Sequence, residues 1–182
     1  MTRAGPGSED PHSALSLETA KAGLRLRFLT GADAPVLREL VLRNSRHLTR
    51  HGDYRELVDM SADSLADELS KRDGRTWRFG IFLDHSLIGR VDLIGVEPPR
   101  YSVGYWLSEH AAGQGNASAS LRAVIAFARS GLVASDIYAG VTHGNTPSQN
   151  LLRRLGFTPV ATFPDYRRFH LPLGRDMIGP TA

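Results

Sequence analysis

The chain is 182 residues long, a length that suits one domain around a single hydrophobic core. Its residues are 41% hydrophobic and 23% charged, no stretch approaches the roughly 20 apolar residues of a membrane helix, and the first residues lack the apolar run of a signal peptide, so a cytoplasmic protein without a membrane partner is expected. A net charge of +3 without a dense Lys/Arg run argues against nucleic acid, and the absence of cysteine excludes disulfides, thiolate metal sites and a cysteine nucleophile.

Residues 1–22 are rich in Gly, Ser, Pro and Ala without periodicity and read as a disordered tail. Leu24, Leu26 and Phe28 alternate along a strand over 24–29. Asp33 and Pro35 then open a helix with Val36, Leu37, Leu40 and Val41 as its buried stripe. Residues 48–54 read as a loop, and Ser61 caps a second helix that buries Leu65 and Leu69. Two strands, 76–83 and 86–96, meet at a tight Asp84–His85 turn. A strand over 101–107 follows, then a Gly-containing loop that opens a helix ending near residue 130, then a strand over 136–141 and a helix over 145–155 stopped by Gly156. Two final strands lead to a short tail at 174–182. The order βααβββαβαββ predicts an α/β (α+β mixed) domain over 23–173, with about four helices on a mixed, largely antiparallel sheet of roughly six or seven strands.

Chemistry concentrates in three places. Between Leu107 and Ala117 a small-residue loop runs into a helix, which aims unpaired amides and the positive end of a helix dipole at one point. Gly113 and Gly115 let backbone approach a pyrophosphate there. The loop is neither a Walker A sequence nor a dinucleotide GxGxxG, since Ser118 stands at the third glycine position. The second place is Thr142 to Ser148, where Asn145 caps a helix and Pro147 sits in its first turn. The third is Asp92, a carboxylate among apolar strand residues, with Arg90 two residues away on the same face as a possible ion-pair partner. Glu97, Glu109, His143 and Asp165 compete with Asp92 as a general base. His47 and His51 lie four apart, but Thr49 and Gly52 oppose a helix there and no metal is expected.

In order along the chain, Gly104-Tyr105-Trp106-Leu107, His110-Ala111-Ala112-Gly113-Gln114-Gly115-Asn116-Ala117, Asn145-Thr146-Pro147-Ser148 and Leu155-Gly156-Phe157 resemble the landmarks of GCN5-related N-acetyltransferases. The resemblance is closest to the branch with the RimJ and RimL ribosomal-protein acetyltransferases and spans about residues 24–172. It implies that the strands at 101–107 and 136–141 are parallel neighbours that splay apart, and that acetyl-CoA is the co-substrate. Trp106, Leu107 and Ser108 would meet the pantetheine arm. Gly113, Gln114, Gly115, Asn116 and Ala117 would hold the pyrophosphate, with Asn145 and Ser148 also at the cofactor.

The acceptor amine would attack the thioester directly, without an acyl-enzyme. Two departures stand out: His110 replaces the usual Gln or Arg, and Leu152 replaces the tyrosine that often protonates the leaving thiolate. Ser148 takes that role by resemblance, or only packs against the cofactor. Asp92 is the first candidate base. His51 and Tyr54 lie in the segment that lines the acceptor site, which lacks the Trp often found where protein N-termini are recognised. A small-molecule amine or a peptide N-terminus is therefore the expected partner, and the protein is expected to be a monomer or homodimer. A CoA-binding sensor without turnover is the alternative function, and a domain binding another nucleotide is a third.

Overall fold

The computed structural model describes residues 15–51, 53–71 and 73–174. Eight strands form one sheet in the order β1-β2-β3-β4-β5-β6-β8-β7, all antiparallel except for β5 and β6. They are β1 (Ser16–Glu18), β2 (Leu24–Phe28), β3 (Thr76–Leu83), β4 (Ser86–Glu97), β5 (Arg100–Leu107), β6 (Asp136–Thr142), β7 (Thr158–Thr162) and β8 (Tyr166–Pro172). The helices are α1 (Ala34–Arg43), α2 (Ser45–Leu48), α3 (Arg55–Asp59), α4 (Ala62–Ser70), α5 (Asn116–Gly131) and α6 (Thr146–Arg154). The mixed, largely antiparallel sheet is therefore as expected, with one strand more. The additional strand is β1, which lies within the stretch read as a tail. Its three residues pair with Arg25 to Arg27, and Leu15 and Leu17 pack against the core, so register and burial order a segment that shows no periodicity of its own. The rest of that stretch, and residues 175–182, lie outside the described residues.

The alternation of each strand divides the core in two. One side of the sheet turns Leu26, Phe79, Ile81, Val91, Leu93 and Val103 toward α5 and α6, which contribute Leu121, Val124, Ala128, Leu151 and Leu152. On the other side Phe82 and Trp106 meet Leu37, Leu40 and Val41 of α1 and Leu65 and Leu69 of α4. The expected α1 stripe holds except at Val36, which is 50% exposed, because Ala34, Leu37 and Val41 share the inner face and Val36 falls outside it. Ser61 caps α4 as expected, accepting the Ser64 N–H at 3.1 Å. Asp33 precedes α1 but makes no capping bond to it; its carboxylate takes the Thr30 N–H and Arg27 instead. The 48–54 loop is shorter than read, since α2 ends on Leu48 and α3 begins at Arg55. Asp84 and His85, with φ of 45° and 71°, make the two-residue β3–β4 turn.

Candidate active site

The β5–β6 pair makes the opening of the site. Its register runs only from Arg100↔Asp136 to Ser102↔Tyr138, although β5 continues to Leu107 and β6 to Thr142. Beyond Ser102 the strands part, and from Val103 to Leu107 no strand pairs with β5 on that side. Ser108 does not belong to that edge: its N–H donates to the Ile88 carbonyl at 2.8 Å and its own carbonyl accepts from Ala111 at 3.0 Å. Buried polar atoms without a hydrogen-bond partner lie here, among them Trp106 Nε1 and Ser108 Oγ on this strand end and Arg90 Nη1 opposite Trp106. Such orphans are uncommon in a folded chain.

At the wide end of the parting the loop before α5 presents its amides. Among the described residues the N–H groups of Gly113 to Ser118 donate to no protein acceptor; the first to do so is Ala119, to Gly115 at 3.0 Å. The neighbouring carbonyls are instead tied down. Gln114 Nε2 donates to the His110 carbonyl at 2.6 Å, and Asn116 Nδ2 to that of Ala111 at 3.0 Å. Gly113 and Gly115 have φ of 74° and 80°, and a Cβ built on either meets nothing within 4 Å. A run of free amides on open backbone at a helix N-terminus fits a pyrophosphate.

Across the sheet from α5 lies a cavity of about 650 Å³ lined by Tyr54, Glu56, Met60, Glu68, Asp92 and Trp106 among others. Its floor is an ion network. Arg90, 6% exposed, donates Nε to both oxygens of Asp92 at 2.7 and 3.0 Å and Nη2 to Glu68 at 2.6 Å, and Arg78 adds a bond to Glu68 at 3.1 Å. Burial works against the Arg90 charge, but Asp92 and then Glu68 outweigh it and hold the guanidinium protonated. The segment before α3 bridges both arms of the parting. Tyr54 Oη donates to the Tyr105 carbonyl on β5 at 2.6 Å, and Thr142 Oγ1 on β6 donates to Asp53 at 2.8 Å. Burial, with Asp92 and Asp53 adding to it, pushes the Tyr54 hydroxyl far above the usual tyrosine range, so it stays neutral. Tyr54 holds φ of 57°, a costly backbone for an aromatic residue.

Residues 23–158 match the family described as acetyltransferase (GNAT) domain. The chain belongs to this GNAT family. It is similar to "Putative ribosomal N-acetyltransferase YdaF" of Bacillus subtilis (strain 168), 25% identical over 142 residues that cover 74% of this chain and 77% of that one. Among solved structures it resembles RimL, a ribosomal L7/L12 alpha-N-protein acetyltransferase in complex with coenzyme A. The TM-score is 0.76 and the identity 24%, over 87% of this chain and 98% of that one. It also resembles the ribosomal-protein-S5-alanine acetyltransferase of Vibrio fischeri, with a TM-score of 0.78 and 19% identity over 91% and 100% of the two chains. An acyltransferase activity follows from the family, and the relatives it resembles include RimL.

Within the GNAT frame, the residues singled out in the sequence divide between the two faces. Gly113 to Ala117 form the amide run. Trp106 lines the cavity, whereas Leu107 is buried with the α5 side of the core. Asn145 is spent as the α6 cap, accepting the Ser148 N–H at 3.2 Å. The Ser148 hydroxyl lies beside that of Tyr105, whose burial raises its pKa and which Ser148 partly offsets. Leu152 is fully buried and carries no polar group toward the site. Asp92 lines the cavity and is paired with Arg90. Its competitors lie elsewhere: Glu97 pairs with Arg100, Glu109 with Arg50, and the His143 ring with the Phe163 carbonyl. His51 stands near Gly144 at the start of α6. Glu68 and Glu56 escaped sequence reading, whereas Asp53 lies in the 48–54 segment expected to line the acceptor site. Glu68 had one weak signal, a place on α4 between Leu65 and Leu69 at the edge of the buried stripe.

Proposed function

We propose that this GNAT protein moves an acetyl group from acetyl-CoA to the primary amine of a small molecule or of a protein N-terminus, by direct attack of the amine. The observation that carries this reading is the uninterrupted run of free amides from Gly113 to Ser118 at the mouth of the β5–β6 parting. When bound there, acetyl-CoA supplies an activated acetyl group on sulfur. Gly113, Gln114, Gly115, Asn116 and Ala117 hold its phosphates by backbone, and the edge of β5 near Trp106, which no strand pairs, aligns the arm. The cavity lining sets Glu56, Glu68 and Asp92 against Arg55 and Arg90, an acidic excess that suits a cationic amine, with Tyr54 as its wall. The orphaned Arg90 and Trp106 N–H groups suit an oxygen close to that amine.

Asp92 receives the ammonium proton and Arg90 holds its carboxylate in place. Nitrogen then bonds to the acetyl carbon, the carbon–sulfur bond breaks, and the Ser148 hydroxyl, beside Tyr105, relays a proton to the departing sulfur, its own being replaced by the surplus proton that the new amide nitrogen sheds. The similarity to YdaF and RimL supports an N-terminal amine, and the missing Trp in the 48–54 segment leaves a small molecule open.

Calorimetry with acetyl-CoA and thiol release over a panel of amines test the proposal. Binding with amine-dependent release is expected. Binding without release from any amine would make the protein a CoA-holding sensor, and no binding would remove the acetyl-CoA reading altogether. Asp92→Asn should depress the rate and abolish the acidic limb of the pH–rate profile. An unaltered profile at full activity would leave Asp92 as Arg90's structural partner.

A further inference from the structure

The turn between β1 and β2 reaches the phosphate loop. Lys21 Nζ donates to the Gln114 carbonyl at 2.7 Å and to Asn116 Oδ1 at 2.5 Å, across more than ninety residues of chain. The turn that carries it is built rather than loose. Thr19 Oγ1 accepts the Lys21 N–H at 3.1 Å and donates to the carbonyls of Lys21 and Leu24 at 3.1 and 2.7 Å, and the Leu24 N–H returns to Lys21 at 3.1 Å. Lys21 lies outside residues 23–158, over which the family description applies.

A trans peptide unit is planar, with its C=O and the next N–H pointing in opposite directions. Fixing the Gln114 carbonyl on the Lys21 ammonium therefore turns the Gly115 N–H the other way, into the free run. The same ammonium holds Asn116, whose other side-chain atom grips the Ala111 carbonyl, so both ends of the loop are tied through one buried side chain. Together these contacts keep carbonyl dipoles away from an anion and add a positive charge behind the amides.

We propose that Lys21 is a positioning residue for the cofactor phosphates, acting through Gln114 and Asn116 from outside the region shared with the family. This rests on the acetyl-CoA reading of the loop. The test compares a ligand with phosphates and one without. By calorimetry Lys21→Met should weaken coenzyme A binding about tenfold, the size of one charge-assisted hydrogen bond, and leave the phosphate-free thioester S-acetylpantetheine unchanged. Lys21→Arg should restore most of the loss, and the penalty should shrink as salt rises. Equal losses for both ligands, or none for either, would overturn the proposal, with thermal melting of each variant confirming that it is folded. If the wild-type chain, folded by the same measure, binds S-acetylpantetheine as tightly as coenzyme A, both the phosphate reading and the role of Lys21 fail together.

Discussion

The two ends of the site are built on different principles. Between Gly113 and Ser118 the groups proposed to bind the cofactor are consecutive backbone amides, oriented by a few nearby carbonyl contacts and by the start of α5. The acceptor cavity draws Tyr54, Glu68, Arg90, Asp92 and Trp106 from the segment before α3, from α4, from β4 and from β5. Backbone amides are present whatever the side chains are, so the loop tolerates sequence change and depends on conformation. The cavity depends on side chains whose charges must be matched in a partly dry place, so it tolerates conformational detail and fails when one member is lost.

That contrast can be broken most directly at Arg90. Arg90→Leu removes the partner of Asp92 and one of Glu68's two partners and should cost about 3 kcal/mol of stability, read as a urea midpoint shift. A change under about 1 kcal/mol would show that water already compensates the two carboxylates, and the cavity would not be the brittle end. At the junction of the two ends, Ser148→Ala should lower kcat by about 10²-fold with acetyl-CoA affinity near wild type. If the affinity moves and kcat does not, Ser148 packs against the cofactor and delivers no proton.

The loop has its own weak point, which is conformational. Gly115→Val meets no protein atom, but it places a β-branched residue at φ of 80° and puts methyls where the ligand approaches. Coenzyme A affinity should fall about tenfold or more, since such strain costs about 1–3 kcal/mol, while the fold survives. Gly113→Val should behave alike, and unchanged affinity in both would refute the backbone cradle.

The closed end of the β5–β6 pair provides a control. Asp136 accepts from Ser135 at 2.6 Å and contacts His170 at 2.6 Å, and these two partners hold its pKa below the ordinary 3.8. A lowered carboxylate pKa contributes stability above the ordinary value and loses it as pH falls through the lowered one. Asp136→Asn should therefore reduce Tm by about 2 °C at pH 7, a difference that shrinks as pH falls below 3.8 and vanishes once Asp136 is protonated in the folded chain, with ligand affinity untouched. A Tm gap that persists at low pH would mean that the loss is one of packing. The smallest effect is expected at His110, which replaces the usual Gln or Arg of the family. Its side chain is exposed and only its carbonyl is used by the loop, so His110→Ala should change coenzyme A affinity by less than about twofold. A tenfold loss would mean that this end too relies on a side chain.

Much of this architecture was legible from residue patterns alone. Period-two alternation marked β2, the Asp84–His85 turn marked the β3–β4 hairpin, helical spacing marked α1, α4 and α5, cap and stop residues marked α6, and Gly113 with Gly115 before Asn116 marked the amide run, because each of these is decided by neighbours in the chain. What could not be read depends on distant partners. β1 is ordered by β2. Glu68 becomes part of the floor only when α4 packs over β4, and Asp53 and Tyr54 become a bridge only once β5 and β6 have parted beneath them. Lys21, within an apparent tail, finds Gln114 and Asn116 because the sheet brings the β1–β2 turn to the start of α5. The sequence by itself determined most of the elements and the run of free amides, through local sterics and hydrogen bonding. Tertiary structure alone decided which charges face the acceptor, since a buried charge is placed by the groups that compensate it, and those come from elsewhere in the chain.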